Sequence, residues 1–293
     1  MTARKLTIAG VLAASIAMSS TLVAQWPSYP TPGVPRAADG KPVLDAATPR
    51  TPEGRVDFSG IWMRAGGGGG RGRGDAPPAP ATTPEGIRLS TFGEVAGRGY
   101  QLPLQPWAAE LKKKRMADNN KDNPDVWCLP IGLMQYHNHG QPRQIVQTKN
   151  LILITYESNY GLRYIYMDGR PAPNNDPTPW WFGYSRGWFE GDTLVVETTN
   201  FLGDERAGWL DVNGSPYTDA LKMTERFRRP NFGTLEIDIT IDDAKAYTKP
   251  FTVRVNQRIL VDQEMIEFIC NENERSTHHI EPPAWTKKPA DPK

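Results

Sequence analysis

An all-β fold with minor α, an antiparallel meander that closes on itself, is what this 293-residue chain predicts. Three observations carry the prediction. From residue 144 onward, short apolar or alternating segments of strand length follow one another. Tight-turn chemistry separates them, at Asp168-Gly169, Glu190-Gly191-Asp192 and Asn213-Gly214. The helices that parallel crossovers require are missing between them.

Taken in order, residues 1–24 read as a secretory signal. Arg4 and Lys5 form a positive n-region, Leu6 to Val23 is uncharged, and Ala24 suits the position before a cleavage site. Gly10, Ser15, Ser19, Ser20 and Thr21 dilute the run, which favours cleavage over a permanent span. Residues 25–55 form an extended Pro-rich lead-in. A single β domain is drawn over 56–281, opening with Val56 to Met63, whose alternation puts Phe58 and Trp62 on one face. Residues 66–86 are Gly- and Pro-rich and read as a mobile loop. Pro106 followed by Trp107 to Met116 is the one helix expected, since proline suits a helix start and Ala108, Ala109, Leu111 and the lysines are good helix formers.

The strand series then runs Gln144 to Thr148, Leu151 to Glu157, Leu162 to Met167, Trp181 to Phe189, Thr193 to Thr199, Lys222 to Arg228, Thr234 to Ile241, Phe251 to Ile259 and Glu264 to Cys270. Leu235, Ile237, Ile239 and Ile241 point one way while Glu236, Asp238, Thr240 and Asp242 point the other, so one face is buried and one is wet. Such a series suits either a sandwich or a barrel. Residues 282–293 are expected to be a disordered tail.

Charge narrows the functional classes. Two of the 34 Lys and Arg leave with the leader, and the remaining 32 face 33 Asp and Glu, so the mature chain is near −1. No field remains to draw nucleic acid, and no later segment supplies a stable membrane anchor after cleavage. Cys128 and Cys270 are expected to pair in an oxidising compartment, periplasmic or extracellular. That bond would close a loop of 142 residues, worth roughly 5 kcal/mol on the chain-entropy account.

Gly60-x-Trp62 on the first strand resembles the opening signature of lipocalins and other calycins. The resemblance implies a barrel, with the Trp packed across its base. Longer strings, among them Cys128-Leu129-Pro130, Ile145-Val146-Gln147, Tyr164 to Arg170, Gly187 to Val196, Ala220 to Phe227 and Tyr247 to Phe251, resemble a family of exported, uncharacterised bacterial proteins. That resemblance implies export and no particular activity. Members of that family often carry His where this chain has Tyr217 and Lys222, so no imidazole role is expected at those two positions.

All four histidines lie close after the cysteines: His137 and His139 after Cys128, His278 and His279 after Cys270. A disulfide would bring the two segments to one anchor point, with Cα atoms within about 7 Å. His137-Asn138-His139 in extended conformation would turn both imidazoles to one face, which suits a divalent metal with His278, His279 or Glu281 added. Without metal, His137 and His139 with Tyr136 would suit proton transfer. Ordinary polar loop residues are the third option. A second signal is aromatic: Trp62 at the first strand, then Tyr156, Tyr164, Tyr166, Trp181, Tyr184 and Trp188 on neighbouring hairpins, either as core packing or as the lining of a ligand pocket. No nucleophile elbow, phosphate loop or dinucleotide fingerprint occurs.

These readings converge on a small-molecule binding barrel for an amphipathic or aromatic ligand. A lyase, hydratase or isomerase using His and Tyr on the same barrel is the first alternative, and an envelope or glycan interaction module the second. The sequence leaves open whether the chain is catalytic, and no cofactor is firmly implied.

Overall fold

The computed structural model describes residues 29–65, 102–173, 178–272, 274–275, 279 and 281–286. The expected leader at 1–24, the expected mobile loop at 66–86 and residues 287–293 lie outside the described residues. Nine strands close into one barrel in sequence order: β1 (Gly60–Arg64), β2 (Arg143–Gln147), β3 (Leu151–Tyr156), β4 (Leu162–Tyr166), β5 (Tyr184–Glu190), β6 (Thr193–Thr199), β7 (Lys222–Arg228), β8 (Thr234–Asp242) and β9 (Phe251–Leu260). β1 pairs with β9 from Ile61↔Leu260 to Arg64↔Gln257, and this joint removes the free edges an open sheet would expose.

The expected antiparallel meander needs one correction. β4 and β5 run parallel, over Ile165↔Ser185 and Tyr166↔Arg186. Geometry demands it: a ring of nine strands cannot alternate direction throughout, so one junction must be parallel. Between Tyr166 and Tyr184 the chain must therefore return along the barrel before β5 starts. This junction is the thinnest in the ring, with two register pairs against eight between β8 and β9.

Two further expectations are corrected. Glu264 to Cys270 carries no strand, because β9 already closes the ring on β1 and leaves no partner for another. Besides α1 (Pro106–Ala117), a second helix forms, α2 (Leu133–Asn138). Its N-terminus sits against the loop at 204–217. A Cβ at Gly132 would lie 2.5 Å from the Trp209 carbonyl, so only glycine allows the approach. Gln135 Nε2 donates to that same carbonyl at 3.0 Å.

The barrel interior has two chemically different ends. At the base, Phe58, Leu194, Phe227, Leu235 and Ile237 are buried together. Trp62 is buried among them with its indole N–H donating to the Phe58 carbonyl at 3.0 Å. The Arg229 guanidinium lies 4.8 Å over the Trp62 ring and donates to the carbonyls of Asp57, Ser59 and Phe232. The base is thus sealed by an indole with a cation across it. At the other end, the inward side chains of Arg143, Arg163, Ser185, Thr198 and Glu225 form a polar sector against which His137 of α2 packs, while Met223, Ile241 and Phe251 keep the β7–β9 side apolar.

The lead-in is strapped to the outside of the barrel. Thr31 and Asp262 exchange two hydrogen bonds, Arg50 pairs with Asp192, and Phe232 N–H donates to the Ala46 carbonyl. Of the tail, residues 284–286 form a 3-10 turn, and Trp285 meets Trp127 edge-on at 6.4 Å. Cys128 and Cys270 are bonded, with Cα atoms 5.4 Å apart. The bond ties the segment entering α2 to the chain that follows β9.

Replacing both cysteines, Cys128→Ser with Cys270→Ser, is expected to lower unfolding stability by about 2–5 kcal/mol while the barrel still forms. Guanidinium unfolding of the variant and of wild type, with and without reductant, measures this. Reductant should move only the wild-type midpoint.

Candidate functional site

Four consecutive strands each send one polar side chain into the upper end of the barrel: Arg163 from β4, Ser185 from β5, Thr198 from β6 and Glu225 from β7. All are at most 1% exposed. Alternation explains their direction, since Ile165 and Arg163, Val196 and Thr198, and Met223, Glu225 and Phe227 share the inward faces of their strands. Arg163 is the hub. Its Nε donates to Ser185 Oγ at 3.0 Å, Nη1 to Glu225 Oε1 at 3.0 Å and Nη2 to Thr198 Oγ1 at 2.8 Å and to Glu225 Oε2. Ser185 and Thr198 share a further bond of 2.9 Å.

His137 enters this network from α2. Its Nε2 lies 2.5 Å from Glu225 Oε1. Burial lowers the His137 pKa more than Glu225 raises it, and Arg143 and Arg163 lower it further. The ring is therefore neutral at pH 7. For Glu225, burial alone would raise the pKa, but Arg163 and then His137 outweigh it and bring it down to about 2. An ionised carboxylate facing a neutral imidazole fixes the tautomer: Nε2 carries the proton and donates it to Glu225, leaving Nδ1 as a lone pair. Nδ1 is buried and has no hydrogen-bond partner among the described residues.

Beside His137 stand Arg143 and Tyr156, inward on β2 and β3. Arg143 is 1% exposed, and all three of its guanidinium nitrogens lack a partner among the described residues. Tyr156 is buried within electrostatic reach of Arg143 and Arg163, yet its hydroxyl makes no hydrogen bond of good geometry. Tyr136, one residue before His137, stacks at 4.3 Å on Tyr156. Gly161 makes room for the pair, because a Cβ there would come within 2.9 Å of both rings. Burial raises the pKa of both hydroxyls, so both phenols are protonated at neutral pH.

The expected extended conformation of His137-Asn138-His139 is corrected. His137 and Asn138 close α2, and His139 is its C-cap. Instead of sharing a face, His137 points into the barrel and is fully buried, while His139 is half-buried and accepts from Gln141 N–H at 3.4 Å. His279 is exposed on a 3-10 turn and His278 lies outside the described residues. Among the described residues no group of three or more His, Cys, Asp or Glu is disposed to hold a metal ion.

The aromatic residues separate into four places. Tyr164, Tyr166, Trp181 and Tyr184 line one groove with Trp180, Phe182, Pro130 and Pro179, along the β4–β5 seam. Its volume is about 370 Å³. Tyr166 and Tyr184 stack at 5.1 Å, Trp180 joins Tyr184 at 5.3 Å, and Arg170 covers Tyr166 at 3.9 Å. Arg163 and Ser185 also line this groove, so it abuts the buried network. Tyr156 is inside the barrel, Trp62 seals the base, and Trp188 faces outward at the far end of β5, outside the groove and bonded to Glu190 at 3.1 Å.

Comparisons with protein-family models, with curated proteins and with solved structures return no match to this chain. The functional reading therefore rests on the groove and the network behind it. Arg163, Glu225 and Arg143 were not singled out from sequence. The signal for them is a charged residue in register with apolar neighbours, as in Met223-x-Glu225-x-Phe227.

Glu225→Gln leaves Arg163 buried without a counter-charge and is expected to cost about 3–5 kcal/mol. The pH dependence follows from both depressed pKa values. His137, neutral when folded, stabilises the protein above its ordinary 6.5, and that contribution is lost as pH falls below it. Glu225 stabilises above its ordinary 4.5 and loses that contribution as pH falls towards about 2. Urea unfolding between pH 8 and pH 2.5 should show wild type losing stability in both windows and Glu225→Gln losing little in the lower one.

Proposed function

We propose that this chain is an exported β-barrel that binds a small ring-bearing molecule in the groove beside the β4–β5 seam. The observation that carries the reading is the convergence of Tyr164, Tyr166, Trp180, Trp181, Phe182 and Tyr184 on one cavity, whose floor abuts the buried Arg163 and Ser185. About 370 Å³ is within the range of small-ligand pockets, roughly 300–1,000 Å³. Stacked phenols and indoles offer flat apolar walls to a ring, and their hydroxyl and N–H groups offer its polar atoms hydrogen-bond partners. This combination selects an amphipathic aromatic compound over a purely aliphatic one.

Export belongs to the same reading. It is supported by the leader at 1–24 and by the Cys128–Cys270 bond, which an oxidising compartment maintains. No helix among the described residues is long and apolar enough to cross a membrane. Expression of the whole chain in a Gram-negative host should yield a periplasmic product beginning at Gln25, as read by N-terminal mass spectrometry. A product retaining Arg4 and Lys5 would reject cleavage.

A second reading is favoured by one specific feature, the neutral His137 whose Nε2–H is held by Glu225 and whose Nδ1 is open. This is the arrangement of a general base. It supports a proton-transfer enzyme on the same barrel, acting on a carbon acid next to a carbonyl. Phenylpyruvate in D2O tests it: NMR should show enzyme-dependent loss of the C3 proton signal that disappears in His137→Gln. Exchange no faster than in buffer rejects catalysis of this type.

For binding, the probe is 2-naphthol, uncharged and aromatic. Saturable quenching of the groove tryptophans is expected, weakened about tenfold by Tyr184→Ala and unchanged by Trp188→Ala. Equal responses in the two variants, or no saturation, would reject the groove.

A further inference from the structure

We infer that the upper end of the barrel interior is a second, separate binding site, built for the carboxylate of a small monoanion and centred on Arg143. The inference starts from charge. Two guanidiniums, Arg143 and Arg163, are buried at this end, and one carboxylate, Glu225, is buried with them. His137 is neutral and the phenols of Tyr136 and Tyr156 are protonated. Among the described residues the cluster therefore holds one positive charge in excess. Burial draws the Arg143 pKa down only to about 10, so it keeps its proton at neutral pH. The next carboxylate in reach of the cluster is Asp125. It is half-buried and accepts a hydrogen bond of 2.8 Å from Asn159, and its field falls on Tyr136 and His139.

Arg143 differs from the other buried arginines. Arg163 has Glu225, Ser185 and Thr198; Arg229 has the carbonyls of Asp57, Ser59 and Phe232; and the half-buried Arg115 has those of Gly208 and Gly214. Arg143 alone of the four directs Nε, Nη1 and Nη2 at no protein acceptor among the described residues. A buried charge is ordinarily paired, and leaving it unpaired is among the most destabilising arrangements a fold can contain. Neutral groups cannot remove a net charge, so the complement must be an anion.

The donors on hand define its class. A guanidinium presents a planar fork that matches the two oxygens of a carboxylate. Tyr156 adds a hydroxyl donor beside it, with the Arg143 guanidinium 6.0 Å from the ring centre. One excess positive charge balances one negative charge, so a carboxylate fits and a dianionic phosphate would overshoot. His137 Nδ1 and Gln257 Oε1, both buried and open, supply acceptors for a hydroxyl or amide N–H carried by the same molecule. Trp62, Ile145 and Tyr156 are the inward neighbours of Arg143 on β1, β2 and β3 and present an apolar surface to the rest of it. The site does not depend on the groove reading, because Arg143, Tyr156 and Gln257 are not among the groove residues.

The test uses the mature protein and four probes: benzoate, its neutral isostere benzamide, chloride and inorganic phosphate. At about one hundred times its Kd, benzoate should raise the melting temperature by roughly 5–10 °C and give a 1:1 adduct by native mass spectrometry. Benzamide should do neither. Arg143→Met should melt at or above the wild-type temperature without ligand, since an unpaired charge has been removed, and should show no benzoate response. Tyr156→Phe should weaken benzoate about tenfold, and Tyr184→Ala in the groove should leave it unchanged. The inference is overturned if wild type does not respond to benzoate, or if Arg143→Met keeps the response. It is overturned equally if chloride or phosphate stabilises as much as benzoate, which marks an unselective anion hole. A ligand-free melting temperature lowered by Arg143→Met, or failure of that variant to fold, assigns Arg143 a structural role and also overturns it.

Discussion

The upper half of this barrel depends on one carboxylate, Glu225. Its two oxygens accept from Arg163 and His137, and through Arg163 the same charge organises Ser185 and Thr198. Four strands and one helix are thereby joined at a single buried point. An ion pair in such surroundings does not stabilise simply by being there, since removing two charges from water costs as much as their attraction returns unless further hydrogen bonds complete the geometry. Here those bonds are present on Arg163 and Glu225. They are absent on Arg143 among the described residues, and the contrast within one cluster separates a structural cation from one available to a ligand.

A second constraint is topological. Nine strands in a closed ring force one parallel junction, and that junction is made between β4 and β5. Parallel neighbours cannot be joined by a tight hairpin, so the chain must travel back along the barrel. The returning segment brings Trp180, Trp181 and Phe182 over the outward aromatics of β4 and the start of β5. The groove is therefore a consequence of strand parity: the place where the ring is thinnest is the place where the extra chain must lie. It is also where Arg163 and Ser185 come nearest to a cavity, which couples the aromatic walls to the buried network.

The lower end is closed by different means. Trp62 fills the base, and Arg229 covers it while satisfying three backbone carbonyls, so this end is closed. The Cys128–Cys270 bond and the strapped lead-in hold the outside. With the base sealed and the outside bound, the polar end under α2 and the seam beside β4 are what the architecture leaves for chemistry.

Much of the fold was legible in the alternation of the chain. Leu235 to Ile241 and its neighbours specify strands, Glu190-Gly191-Asp192 specifies the β5–β6 hairpin, Pro106 specifies the start of α1, and Gly60-x-Trp62 points to the sealed base, whereas Asp168-Gly169 opens the crossover to the parallel β5 instead of a hairpin. Local sequence carries such information because side-chain direction along a strand is set by neighbours two residues away. It also contained Tyr164, Tyr166, Trp181 and Tyr184 as aromatics on adjacent hairpins, and His137 as a candidate for proton chemistry. It did not contain their partners. The parallel junction is a property of the closed ring, not of any segment, so neither the groove nor the absence of a strand at Glu264 to Cys270 could be read locally. Likewise Arg143, Arg163 and Glu225 are ordinary charged residues on their own strands. Only closure of the barrel turns them to a common interior, removes the water that would screen them, and decides that two of them pair while the third does not.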